Sequence, residues 1–312
     1  MVQGVPWVLP LIALALDAAV GDPAWLPHPV VLMGRVVRPG ERWLRSTRLP
    51  LRAGGTVLAL LLPLASWGCT WLLIRLAAGV HPWLGLAAEA WLFSTCLAAR
   101  SLAEHALAVY RPLGAGDLAG ARRRVGLIVG RDTEALDAVE VTRAAVETVA
   151  ESTCDGVIAP LFWGLIGGAP LAMAYKAVNT LDSMVGHRDE RYREFGWASA
   201  RLDDLANLAP ARLSALLLAL AGLSPGALGI ALRDARLHPS PNSGWPEAAM
   251  AGLLGVRLGG LNSYGGVPER RAYMGDPRRP LEPEDIPRAV RWMWLATVLG
   301  TGLGALALWK IA

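Results

Sequence analysis

The chain has 312 residues, 54% of them hydrophobic and 18% charged, with a net charge of +4 carried almost wholly by arginine. Soluble domains carry roughly 25% charged residues, so this composition argues against a soluble enzyme. Its basic residues do not interleave with aromatics on a soluble face, so no nucleic-acid site is expected. The mean hydropathy of +0.37 and the 13 Trp against 3 Phe point to a membrane protein, because Trp favours the membrane–water interface. We read an all-α, polytopic integral membrane protein. It is one embedded domain over residues 1–312, with about five to seven membrane-associated helices, some broken, and polar loops and helices at the cytoplasmic face.

Residues 5–20 are apolar apart from Asp17. The run is short for a span, which needs about 20 residues, and it lacks the basic start of a cleavable signal. GDPAWLPHPVVLMGRVVRPGERW follows, and its Gly and Pro residues predict a rigid loop. Asp22 and His28 sit in it. They are either a cap and an interfacial His, or part of a ligand-facing surface. Arg35, Arg38, Arg42, Arg45, Arg48 and Arg52 face only Glu41, which makes this loop cytoplasmic by the positive-inside rule or an anchor for lipid phosphates. Residues 54–78 are the clearest span. His81-Pro82-Trp83 turns the chain, and residues 84–99 return, with Glu89 inside the membrane-grade sequence.

Residues 100–155 look like a cytoplasmic helical portion. GLIVGRDT is not a P-loop: three residues rather than four separate its glycines, and Arg131 stands where Lys is required. The string instead predicts a helix start, with Asp132 or Thr133 as N-cap and Glu134 in the first turn. Glu140, Arg143, Glu147 and Glu151 then share one face, and Arg143 can pair with Glu147. The stripe is either a solvated face or, because it runs through Asp155 into apolar sequence, a Mg²⁺ site that relies on substrate phosphates. Cys69, Cys96 and Cys154 form no CxxC, so neither a disulfide nor structural zinc is expected. Residues 156–175 form a span broken by Gly and Pro, as helices lining a cavity are.

The stretch 170–212 is the centre of the chain. Lys176, Asn179, Thr180 and Ser183 share one helical face, with Asp182 in the same two turns. Ser199, Asp203 and Asn207 repeat every four residues, with Asp204 beside Asp203. Groups this polar are costly next to apolar sequence unless they bind something or each other. The only lysines are Lys176 and Lys310; Lys176 is either a functional cation or a snorkelling one. GHRDERYREFGW is placed in the cytoplasm. Residues 213–232 read as a hairpin or kinked span. HPSPNSG cannot be helix: it is an ordinary surface turn or an anion-binding nest, and it carries His238, Ser240, Asn242 and Ser243, with Glu247 beyond. Residues 248–260 suit a close-packed helix, NSYGGVPERRAYMGDPRRP reads as a Gly/Pro loop, and 289–309 is the last span.

Carboxylate pairs with Lys and Asn suggest an enzyme acting on a metal–phosphate substrate. Two other classes stay open. One is a Mg²⁺-diphosphate membrane transferase, against which the adjacent Asp203-Asp204 counts. The other is a non-enzymatic sensor or transporter, against which the large polar loops count.

The strings GDPAWLPHPVVLMG, VGRDT, VETVAESTCDGVIAPLFW, GAPLAMAYKAVNTLDSMVGHRDERYREFGWASARLDDLANLAPARL and DARLHPSPNSGWPEAAMAG, in this order, resemble the adenosylcobinamide-phosphate synthase family (CbiB/CobD) of cobalamin biosynthesis. The resemblance covers about residues 17–275. Ser152 departs from it, standing where the family has Asn. The resemblance implies a multi-pass inner-membrane ligase whose site faces the cytoplasm. It would join adenosylcobyric acid to (R)-1-aminopropan-2-ol O-phosphate, or aminopropanol, through an amide, with ATP and Mg²⁺. The corrinoid and the amine are its small-molecule partners, alongside membrane lipid. Homo-oligomers, or association with other membrane enzymes of the pathway, are compatible with it. Such chemistry assigns Lys176, Asp203, Asp204 and Glu151 to catalysis, and Glu147, Asp155 and Asp182 to the metal. Asn179, Ser183, Arg201, His238, Ser240, Asn242, Ser243, Asp22 and His28 would bind substrate and phosphate. His28, His187 and His238 are equal candidates for a ligand to the corrinoid cobalt.

Overall fold

The computed structural model describes residues 7–23, 27–187 and 189–311. Val5 and Pro6 of the first apolar run, residues 24–26 of the loop after it, and Arg188 lie outside the described residues. The chain divides into two compact units. The first is built from Met1–Ala98, Ala159–Asn207 and Thr301–Ala312, the second from Ala99–Ile158 and Leu208–Gly300. Each has its own apolar core, where the sequence reading treated the chain as one domain.

In the first unit, α1 (Leu9–Val20), α2 (Pro29–Ser46), α3 (Leu51–Val80) and α4 (Pro82–Ser94) precede α8 (Ala159–Val185) and α9 (Trp197–Ala206). At 30 residues α3 is the longest uninterrupted helix, about 45 Å at 1.5 Å per residue. Leu60, Leu61, Leu64, Leu72, Leu73 and Leu76 face outward, as a lipid-facing helix requires. Pro82 begins α4, and Nδ1 of His81 accepts the Trp83 N–H. At 13 residues α4 falls short of the predicted full return span. The Arg-rich segment is helix α2 rather than a loop. Pro29 occupies its first turn, where the missing N–H costs nothing, and Met33, Val37, Glu41 and Leu44 are buried along it. Arg45 and Arg191 pair with the buried Glu41.

Helix α8 breaks where the sequence suggested. Gly167 has φ −140° and Gly168 has φ +67°, just before Pro170. Close approach uses glycine too. A Cβ on Gly55 of α3 would lie 1.7 Å from the carbonyl oxygen of Phe195, whereas one on Gly68 of the same helix meets nothing within 4 Å. Gly55→Ala should therefore destabilise the fold by about 1–3 kcal/mol through overpacking against backbone that cannot yield. Gly68→Ala should be neutral or slightly stabilising. Thermal unfolding of the two variants in detergent checks this; equal midpoints would refute the close contact.

The second unit holds α5 (Ala99–Gly114), α6 (Leu118–Val125), α7 (Ala138–Ser152), a π-helical turn (Thr153–Ile158), α10 (Leu208–Ala221), α11 (Pro225–Asp234), α12 (Gly244–Leu254), a β-hairpin and most of α13 (Asp285–Ile311). Alanines dominate its core, among them Ala144, Ala145, Ala248, Ala249 and Ala251. The cap of α7 is Asp137, whose Oδ1 accepts the Glu140 N–H at 2.8 Å, not Asp132 or Thr133. The predicted Gly/Pro loop is instead an antiparallel hairpin of β1 (Leu258–Tyr264) and β2 (Val267–Met274). Gly265 and Gly266 turn it, both at positive φ, as a two-residue hairpin turn demands. Asp132 closes that turn by accepting from Ser263 Oγ and from the N–H groups of Gly265 and Gly266. These bonds, the Ser263 hydroxyl first, hold its carboxyl below the usual range.

Three helical stretches are long and apolar enough to cross a membrane: Leu51–Val80, Ala138–Val185 and Asp285–Ile311. Trp197–Ala206 with Leu208–Ala221, bent by 44°, would make a fourth. The polytopic, all-α membrane architecture holds, with the hairpin as its one β element among the described residues. The stretch Ala138–Val185 takes in α7, so the Glu140–Glu151 stripe adjoins membrane-grade helix.

Candidate functional site

The predicted polar residues fall into two clusters, one in each unit.

In the first unit a cleft of about 490 Å³ is lined by Asp22, His28, Arg35, Thr95, Cys96 and Lys176, with Val30, Val31 and Leu97 as its apolar wall. Its size suits a small molecule. Lys176 is only 9% exposed, because α8 carries it among Met173, Tyr175 and Ala177, all buried. That is no snorkelling position: the side chain lines the cleft from inside the unit. Nε2 of His28 lies 3.1 Å from Oδ1 of Asp22, so the two loop residues singled out in the sequence meet at this cleft, and Arg35 on α2 adds a second cation.

One turn along the same helix face, the amide of Asn179 approaches Oδ1 of Asp203 at 3.5 Å. Asn207 donates to Oδ2 of Asp203 at 3.0 Å and accepts from the Tyr175 hydroxyl at 3.0 Å. Two helices thus hold Asp203 through neutral amides. Asp182 and Asp204 are its charged neighbours, and Arg201 pairs with Asp204 at 3.1 Å. Like charges collected this way favour a bound cation. Ser183 is exposed, and its hydroxyl donates to Asn179 O at 2.9 Å, so the structure gives it a local bond rather than a cleft-facing one.

The second unit carries the rest. Glu147 accepts from Arg131, from Nη1 of Arg143 at 2.9 Å and from the Gly259 N–H at 2.8 Å. Two guanidinium groups already neutralise it, so the expected metal ligand is instead the centre of a buried ion-pair network. Arg143 also binds Glu140, Leu261 O and Asn262 Oδ1, which fastens the hairpin to α7. Asp155 is half-buried on the π-helical turn. Glu151 accepts from Ser243 Oγ at 2.8 Å. Ser240 Oγ accepts the N–H groups of Asn242 and Ser243, and Asn242 Oδ1 accepts from Arg212; these bonds give the HPSPNSG turn its shape. Nε2 of His238 lies 3.6 Å from Oε1 of Glu247. Burial is the leading cause of both shifts there, holding Glu247 well above the carboxylate range and lowering His238, so the neutral forms of both are favoured.

Among the described residues no three His, Cys, Asp or Glu side chains are grouped to hold a metal ion by themselves. The expected metal set of Glu147, Asp155 and Asp182 divides between the two units. The residues that do fit Mg²⁺ are Asp203 and Asp182, since Mg²⁺ is usually bound by one or two carboxylates with substrate phosphates completing its shell. Sequence reasoning missed Arg131, Asn262 and Arg271 as members of the second cluster; the Gly-Gly pair was the signal that could have found the hairpin carrying two of them.

The sequence profile of the CobD/Cbib protein family matches residues 10–293. The chain is 51% identical to "Cobalamin biosynthesis protein CobD" of Klebsiella pneumoniae subsp. pneumoniae, over 94% of each chain. It is 55% identical to the protein of the same name from Geobacter metallireducens, over 93% of this chain and 92% of that one. Identity to "Cobalamin biosynthesis protein CbiB" of Salmonella typhimurium is 49%, over 94% of each. No solved structure matches.

Proposed function

Since the chain belongs to the CobD/CbiB family, whose relatives are named for cobalamin biosynthesis, we propose that it is a membrane-bound ligase of that pathway. It joins adenosylcobyric acid to (R)-1-aminopropan-2-ol O-phosphate, or to aminopropanol, with cleavage of ATP to ADP and phosphate. The observation that carries this reading is the cleft closing on Lys176, a buried cation in a chain that has only one other lysine.

The chemistry explains why such a cleft is needed. A carboxylate and an amine do not condense at neutral pH, because the leaving group would be oxide. A carboxylate oxygen first takes the γ-phosphoryl group of ATP and releases ADP. The amine then attacks the acyl carbon, phosphate leaves with the original carboxylate oxygen, and the ammonium proton passes to a base. Transferring a phosphoryl group is chiefly positioning and charge neutralisation. Lys176 and Arg35 supply positive charge to the phosphates, and Asp22 orients His28 beside them. Asn179 and Asn207 fix Asp203. Mg²⁺, held by Asp203 and Asp182, would neutralise charge on the ATP phosphates. Asp204, kept in place by Arg201 in the same unit, is the base candidate. The arginines of α2 favour an inner-membrane protein with this face in the cytoplasm.

Adenosylcobyric acid labelled with ¹⁸O in the reacting carboxylate tests the order of steps. One labelled oxygen should appear in the released phosphate, read by mass. Label retained wholly in the corrinoid and water would rule out activation by phosphoryl transfer.

A further inference from the structure

In the second unit three buried nitrogen atoms lack a hydrogen-bond partner among the described residues: Nδ2 of Asn262, Nε2 of His238 and Nε of Arg271. Native proteins rarely keep such atoms without a use. Geometry fixes all three as donors. Arg131 and Arg143 both donate to Oδ1 of Asn262, so the oxygen must face them and the NH₂ group faces away. Nδ1 of His238 accepts the Ser240 N–H at 3.0 Å, so the neutral ring carries its proton on Nε2. Nε of an arginine always carries hydrogen.

The three donors share one region. Across the hairpin Asn262 pairs with Glu269 and Gly260 with Arg271, which puts residues 262 and 271 on the same face as diagonal neighbours. Arg271 is in electrostatic reach of Glu151, Glu247 and His238. Its side chain, 30% exposed, is the solvent-open member, whereas Asn262 is only 3% exposed.

Glu140, paired with Arg143, and Glu151, held by Ser243, also lie here, so donor geometry rather than net charge favours an anion. Glu147 is neutralised by its two arginines, and burial favours protonated Glu247. Arg271 spends one Nη on the Tyr264 hydroxyl at 2.6 Å, and its nearest carboxylate, Glu269, stands off at 3.7 Å. A cation would meet three N–H groups; a phosphoryl oxygen would be satisfied by them.

We propose that this cluster is a phosphoryl-binding subsite, in which Asn262, His238 and Arg271 donate to the oxygens of inorganic phosphate or of a phosphate monoester. The subsite is built wholly from residues of the second unit and stands whether or not the chain forms amides.

Calorimetric titration of the full-length protein in detergent tests it, with inorganic phosphate and with O-phosphoethanolamine as a simple monoester. Saturable binding is expected. If only phosphate binds, the source is the free ion; if the monoester competes, it is a substrate group. Asn262→Asp is nearly isosteric and still presents an oxygen to Arg131 and Arg143, but it replaces the orphan donor with a charged acceptor. It should weaken binding at least about tenfold, the effect of one hydrogen bond to a charged group. Should that variant not fold, Arg271→Gln, on the partly exposed strand, should show the same loss. Wild-type affinity in the folded variant overturns the proposal. So does binding abolished only by Lys176→Met, or no binding to the wild-type protein.

Discussion

Lys176→Met is expected to lower the turnover number by about 10³-fold, the scale on which one preorganised charge or donor acts at a transition state, while leaving the protein folded. At 9% exposure Lys176 already buries the aliphatic stem of its side chain, so an unbranched apolar side chain of similar length replaces it with little change in volume. In the presence of substrate the same low-dielectric surroundings make its attraction for phosphate oxygens stronger than it would be in water. Lys176→Arg should not rescue activity, because a planar fork does not replace a compact point charge in a cleft shaped around one. The exposed Lys310, at the end of α13, provides the control: Lys310→Met should be silent. Steady-state kinetics with a parallel unfolding curve separate the two effects. Activity of Lys176→Met within about threefold of wild type, on a folded protein, would remove Lys176 from the chemistry.

The second large effect is on stability. Glu147→Ala should cost about 3–5 kcal/mol, the usual penalty for breaking a buried ion pair from one side. Arg131 and Arg143 have side chains only 6% and 5% exposed, and without Glu147 they face each other across Asn262. The Gly259 N–H loses its acceptor as well, so the hairpin loosens from α7. The double variant Arg131→Met/Glu147→Leu should recover much of the loss, because an ion pair exchanged whole for apolar packing is close to neutral. Unfolding midpoints in detergent check both. A Glu147→Ala protein as stable as wild type would mean that the network does not hold the hairpin.

How much of this was visible in the sequence depended on the range of the interaction. Features fixed by local chemistry were legible. The long apolar run of α3, the Gly167-Gly168 break in α8, the polar face from Lys176 and the repeat from Ser199 to Asn207 all follow from period and composition, and the structure contains each. The first cap failed locally: Asp132 and Asp137 are both good caps, and the choice went to Asp137 because Asp132 is taken by the hairpin turn. The arginines of α2 were read as a loop because Pro29 was counted with the breakers before it; it opens the helix instead, and Pro39 sits inside it. Glu147 was misassigned for a longer-range reason. Its stripe contains Arg143, which was seen as a partner. The second guanidinium, Arg131, and the Asn262 that both arginines share come from outside the stripe, and no periodicity in α7 announces them. Asp203 was singled out by its spacing, but its amide clamp spans α8 and α9 and is a property of their packing.

Amide formation driven by ATP is open to direct measurement. The most direct measurement supplies the detergent-purified protein with adenosylcobyric acid, ATP, Mg²⁺ and (R)-1-aminopropan-2-ol O-phosphate, follows corrinoids by mass, and counts ADP. Adenosylcobinamide phosphate and ADP are expected in equal amounts, with none of either when the amine is omitted or when Lys176→Met replaces the wild-type protein. Corrinoid bound without turnover, or amide formed without ATP, would contradict that expectation.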